Sequence, residues 1–205
     1  MSCLSLKRLP VFFALVCLVW SGTACVPTRP DPRLNLISES DYQDIVAKNT
    51  QSTKSYDGFM NILDISATLL TPAVLGGQAD HNARVFQQTP EQYQSEKTKM
   101  LADTGKQTEI FLSFFVPERK HDDLNKNNSK WKIFLDVDGR RYDGKATRIK
   151  ALLAELQSSY PHHTRWHTPY KLSFPVPAAQ VEKSGAKLIL TGPLGSATLD
   201  FPPAQ

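Results

Sequence analysis

Thr108-Glu109-Ile110-Phe111-Leu112-Ser113-Phe114-Phe115-Val116 is the stretch on which the fold turns. Thr108, Ile110, Leu112, Phe114 and Val116 recur with a period of two, which sends alternate side chains to one face of a strand. Phe111 and Phe115 fall on the other face. A solvated sheet face would carry polar residues there, so aromatics on both faces predict a strand covered at least partly on each side.

The same alternation spreads outward in both directions. Within Phe59–Leu70, Leu63, Ile65, Ala67 and Leu69 alternate with Asp64, Ser66 and Thr68, which predicts a half-buried strand. Trp131, Ile133 and Leu135 run into Asp138-Gly139, a strong hairpin turn. Tyr170, Leu172, Phe174 and Val176 form a further strand. Leu188 and Leu190, then Ala197, Leu199 and Phe201, flank Gly192-Pro193-Leu194-Gly195 as a closing hairpin.

Helices punctuate this pattern. Ser40 with Gln43 gives a capping box for a short helix to about Asn49, and Thr50 to Ser55 is then a polar connection. Thr71-Pro72 starts a second helix, with threonine as cap and proline at the first position. Gly76-Gly77 weakens it, each mid-helix glycine costing about 1 kcal/mol against alanine. Thr89-Pro90-Glu91-Gln92 starts a third, lying on the surface and stopped by Gly105. Ile149, Leu152, Leu153 and Leu156 have helical spacing. The expected fold is α+β and mainly antiparallel β, a sandwich-like domain over residues 38–205. Helices at 40–49, 72–104 and 149–157 pack at one end or over one face.

The amino-terminal segment has a different composition. Lys7 and Arg8 precede an apolar run, Leu9 to Trp20, broken only by Pro10, and Ser21, Gly22, Thr23 and Ala24 are small. This is the order of regions in an export signal. The run is about 12 residues, short of the roughly 20 that a spanning helix needs. Residues 25–37 then read as a tether. Pro27, Pro30 and Pro32 favour an extended polyproline chain, a dozen residues of which reach roughly 35 Å.

Ser21-Gly22-Thr23-Ala24-Cys25 resembles the lipobox read by the lipoprotein signal peptidase, with Gly22 where that family most often has leucine. Gly22-Thr23-Ala24 also satisfies the small-x-small rule of ordinary signal peptidase, and both enzymes would cut before Cys25. The resemblance implies removal of residues 1–24, a diacylglyceryl thioether on Cys25 and usually a third, amide-linked chain. Two or more long chains hold a protein durably on a membrane. Val26 follows Cys25 where an aspartate retains many lipoproteins of Gram-negative bacteria in the inner membrane. The resemblance therefore implies an outer-membrane destination.

Composition bounds the chemistry. The 205-residue chain carries 24 basic and 20 acidic residues; Lys7 and Arg8 account for two of the former, leaving 22 against 20 after the signal. The charges are interspersed, so no basic face invites nucleic acid. All three cysteines lie at positions 3, 17 and 25, which excludes disulfides, a Cys-ligated metal and a thiol nucleophile for the domain. There is no Gly-x-Ser-x-Gly elbow, His-Glu-x-x-His helix or phosphate-binding glycine loop. Asp136-Val137-Asp138-Gly139 lacks the sixth-position glycine and twelfth-position glutamate of a calcium loop. The polar run Pro117–Lys130 reads as a solvated loop.

The densest candidate site is the segment from Tyr160 to Tyr170, with three of the five histidines and three large aromatics in eleven residues. Tyr160, His162, His163, Trp166, His167 and Tyr170 are the candidate ligand-binding residues. Trp, Tyr and Arg recur as binding hot spots, and imidazole suits zinc, copper and nickel. The spacing matches no known ligand set and no thiol or carboxylate joins it, so no metal or cofactor is expected. The bland reading is a loop whose Trp166 or Tyr160 anchors it to the core. The leading expectation is a non-enzymatic envelope lipoprotein. Its partners would be membrane lipid, through acylated Cys25, and an envelope protein or glycan. The alternatives are a ligand-, glycan- or metal-binding domain using this loop, and a hydrolase whose site assembles from scattered residues.

Overall fold

Strands dominate residues 31–204, the part of the chain that the computed structural model describes, and Cys25 lies outside it. The fold is α+β with two antiparallel sheets. The first has the spatial order β1 (Thr50–Asp57), β2 (Met60–Leu69), β3 (Thr108–Phe115), β7 (Thr168–Phe174), β6 (Lys145–Arg148). The second runs β5 (Arg140–Asp143), β4 (Lys132–Val137), β8 (Ala186–Gly192), β9 (Gly195–Phe201). β9 lies against β1 where the sheets meet.

β3 sits in the middle of its sheet, pairing Ile110 with Leu69 on one side and with Leu172 on the other. Its two faces have different partners. Ile110, Leu112 and Phe114 join the core between the sheets, packed with Leu135, Leu188, Leu190 and Leu199 of the facing sheet. Phe114 meets Trp131 edge-on, 5.4 Å between ring centroids. Phe111 points the other way, into a second cluster with Tyr42, Val46, Leu75 and Leu156. Each such side chain taken from water contributes about 1.5–3 kcal/mol, so two clusters hold this one strand from both faces. The Asp138-Gly139 turn has φ of 50° and 73°, the left-handed pair a tight hairpin requires.

The second cluster is built by helices lying on the outer face of the five-stranded sheet. α1 (Glu39–Lys48) is capped by Ser38, whose Oγ accepts from the Asp41 amide at 3.1 Å, two residues before the cap expected at Ser40. α2 (Pro72–Val85) starts at the Thr71 cap. Gly77 lies within it because a Cβ there would stand 2.9 Å from Tyr42 Cδ2 and 3.2 Å from Ile37 Cδ1. The missing side chain lets α1 approach α2 closely. α3 (Pro90–Leu101) has the reciprocal Thr89–Gln92 capping box and ends four residues before Gly105. α4 (Leu153–Ser159) is shorter than the 149–157 spacing suggested.

Three elements depart from the sequence reading. Thr50–Ser55, expected as a connection, lies within edge strand β1. Its hydroxyls pair across to β2, Thr50 with Thr68 at 2.7 Å and Ser52 with Ser66 at 2.8 Å. β6 and α5 (Ala178–Ser184) were not expected at all. Leu34, Leu36 and Ile37, within the segment read as tether, pack against the helical layer. Among the described residues no helix is long and apolar enough to cross a membrane.

Candidate functional site

The Tyr160–Tyr170 segment crosses the outer face of β2 and β3 before becoming β7. Tyr160 is buried, its ring stacked on Phe111. His162 Nε2 lies 3.5 Å from Thr68 Oγ1, and buried His163 places Nδ1 2.8 Å from Ser113 Oγ. His167 bonds Thr164 Oγ1 through Nδ1 at 2.7 Å and brings Nε2 to 3.6 Å from Asp64 Oδ2. Thr68, Ser113 and Asp64 are the polar alternates of strands whose other residues face the inter-sheet core. They therefore present hydrogen-bonding groups where the loop lands.

Burial, reinforced by the neighbouring imidazoles, lowers the pKa of both His162 and His163 to about 4. Burial also lowers that of His167, against the pull of Asp64. Neutral imidazoles can exchange hydrogen bonds with hydroxyls, and here they fasten the loop to the sheet. Among the described residues no three His, Cys, Asp or Glu side chains are arranged to hold a metal ion.

The structure does not bring all six candidate residues together. Tyr160, His162, His163 and His167 share the outer face. Trp166 stands in solvent, 72% exposed, with the Arg165 guanidinium 5.5 Å from its ring centroid. Tyr170 points to the opposite face of the sheet, in the inter-sheet core, where its hydroxyl donates to Asp122 Oδ1 at 2.8 Å. Strand parity carried that signal: Tyr170 alternates in phase with Leu172 and Phe174, the inward residues of β7.

Open space lies instead along the helical layer. A cleft of about 1250 Å³ runs between α3 and the outer face of the sheet. Leu75, Phe111, Met100 and Ile149 give it an apolar floor, and Glu96, Lys99 and Lys171 a charged rim. A cavity of about 510 Å³ between α2 and α4 adjoins it, sharing the lining residues Gln78, Phe86, Ile149 and Tyr160. Phe86, at the C-terminal end of α2, is 60% exposed at this junction.

His81 and Ser158, which line the second cavity, belong to a hydrogen-bonded chain from three helices that sequence reasoning missed. His81 of α2 sets Nδ1 2.8 Å from Glu39 Oε2 of α1 and Nε2 2.8 Å from Ser158 Oγ of α4. Tyr42 stacks on the imidazole at 5.0 Å and 22°. Glu39 also accepts from Gln43 Nε2 at 2.8 Å and from Arg84 Nη1 at 2.9 Å. Partial burial raises the Glu39 pKa, but the hydrogen bonds from Gln43 and His81 and the charges of His81 and Arg84 outweigh it. Its carboxyl is held below the ordinary glutamate value. Nothing in the spacing of residues 39, 81 and 158 marks them as a set. No protein-family model, curated protein or solved structure matches the chain.

Proposed function

We propose that this chain is a membrane-anchored envelope lipoprotein acting as a binding module, with the cleft along its helical layer as the binding surface. The anchoring half of the reading rests on Cys25 behind a short apolar segment, and on the proline-rich tether that follows. Val26 favours the outer membrane as destination.

The binding half is carried by one observation: the two cavities adjoin, with Gln78, Phe86, Ile149 and Tyr160 lining both. An apolar floor beneath a charged rim suits an amphiphile with an acyl chain and a polar head, because each part then keeps its preferred surroundings. Position supports this choice. Leu34 and Leu36 pack on Ala79, Ala83 and Tyr93, and Asp31 and Arg33 lie within electrostatic reach of Glu91 on the cleft lining. The tether thus meets the domain beside the cleft, which favours a ligand that comes from the membrane.

Binding of a fluorescent fatty-acyl probe to the purified full chain tests the module. Phe86→Glu, a surface change at the junction of the cavities, is expected to weaken binding at least tenfold while leaving the fold intact. Undiminished binding would refute the site. Palmitate labelling in cells, present in the wild type and lost in Cys25→Ala, tests the anchor.

A further inference from the structure

We propose that Ser158, His81 and Glu39 form a serine-hydrolase relay that cleaves an ester of an apolar acyl group, an inference that rests on reading the helical-layer cleft as an acyl-binding surface. The geometry has the polarity such chemistry needs. The carboxylate holds Nδ1 and the hydroxyl meets Nε2, each at 2.8 Å, within hydrogen-bond reach. In the tautomer with the proton on Nδ1, donated to Glu39, Nε2 of the neutral ring is free to accept from the serine hydroxyl. Tyr42, fully buried, fixes the plane of the ring.

A tie between three helices would account for the two hydrogen bonds alone. It would not require the serine end of the chain to open on an apolar cavity. Ser158 is only partly buried and lines the 510 Å³ space together with Val85, Phe86, Ile149 and Leu156. Those side chains offer an acyl group a place beside the nucleophile, which is the proximity that makes attack effectively intramolecular. Gln78 lies one helical turn before His81 on the same face of α2 and lines the same cavity. Its Oε1 accepts from Tyr160, leaving the amide N–H donors for an oxyanion.

The step balances with water as the co-reactant. Ser158 Oγ forms a bond to the ester carbonyl carbon while His81 Nε2 takes the hydroxyl proton. The carbon–oxygen bond to the alcohol breaks, and His81 gives that proton to the leaving alkoxide. Water then attacks the acyl-serine as His81 accepts its proton and returns it to Ser158 Oγ. The products are a carboxylic acid and an alcohol.

The test uses the full chain with a fluorophosphonate reagent, p-nitrophenyl esters of short and long acids, and the fatty-acyl probe. The expected results are a phosphonylated Ser158 peptide by mass spectrometry and hydrolysis that favours the longer acyl chain. Both should be lost in Ser158→Ala. Glu39→Gln should lower kcat about 100-fold or more with little change in KM, since it disturbs the imidazole rather than the acyl site. Circular dichroism of each variant separates lost chemistry from lost fold. Acyl-probe binding with Ser158 unlabelled overturns the relay and leaves the binding module standing. Labelled Ser158 without acyl-probe binding supports the relay and overturns the acyl reading of the cleft.

Discussion

The ring of Tyr160 lies parallel to that of Phe111, with 3.8 Å between centroids and 5° between planes. Phe111 belongs to the middle strand of the larger sheet and Tyr160 to the residue that closes α4. This one stack therefore joins the helical layer, the histidine-bearing loop and the sheet. Tyr160 also lines both cavities, so the packing that stabilises the layer shapes the cleft.

Tyr160→Ala is expected to destabilise the protein by about 3–5 kcal/mol, the range for a large buried aromatic cut back to alanine. Urea denaturation checks it. Tyr160→Phe keeps the stack and loses only a 3.4 Å hydrogen bond to Gln78, so it should cost under about 1 kcal/mol. Equal losses in both variants would mean that the hydroxyl, not the ring, holds the layer.

Trp166→Ala should leave stability within about 0.5 kcal/mol of the wild type, because the ring packs on Arg165 in solvent rather than in a core. Thermal melts of the two proteins decide it. A loss of several kcal/mol would show that the ring anchors the loop.

Stability should fall as the pH drops from about 6.5 to about 4. His162 and His163 are held near 4 in the folded chain, whereas unfolded histidine titrates near about 6.5. Across that window the unfolded chain binds protons that the folded chain does not, so the stability of the folded state rises with pH. Asp64 and Lys54 face His167 beside them and oppose each other there. The two histidines together should account for a few kcal/mol, on the order set by their shifts after allowance for partial exposure. Urea midpoints between pH 7 and 4.5 measure the slope. The double variant His162→Gln, His163→Gln should flatten it, and an unchanged slope would assign the acid sensitivity to other groups.

Gly77→Ala sets two effects against each other. Alanine gains about 1 kcal/mol of helix propensity over glycine. The added Cβ would stand 2.9 Å from the ring of Tyr42, which is fully buried and hydrogen-bonded through Oη to the Ser159 carbonyl, so it cannot swing away. Overpacking costs typically 1–3 kcal/mol, so net destabilisation is expected. A rise in Tm would mean that α1 shifts freely on α2.

Most strands, and the Thr71 and Thr89 caps, were legible because their signals are local. The alternation of Ile110, Leu112 and Phe114 reads the same in the chain as in the sheet. The Thr89–Gln92 capping box involves atoms three residues apart. β1 was not legible, since its alternate positions carry hydroxyls rather than apolar groups and have meaning only opposite Ser66 and Thr68. The histidine loop was visible as composition, but composition carries no direction. Contact with the sheet turns its imidazoles inward and leaves Trp166 outside.

By itself, then, the sequence determined the layered α+β class, the strand that crosses both clusters, and a domain without a thiol beyond Cys25. Periodicity and composition are properties of neighbouring residues, so no folded context was required to read them. Only the tertiary structure decided that Glu39, His81 and Ser158 meet, and that Tyr170 and the histidines lie on opposite faces of one sheet. A hydrogen bond demands approach to about 3 Å. Residues from three separate helices reach that distance only when Phe111, Tyr42 and Leu156 pack those helices onto a common sheet face.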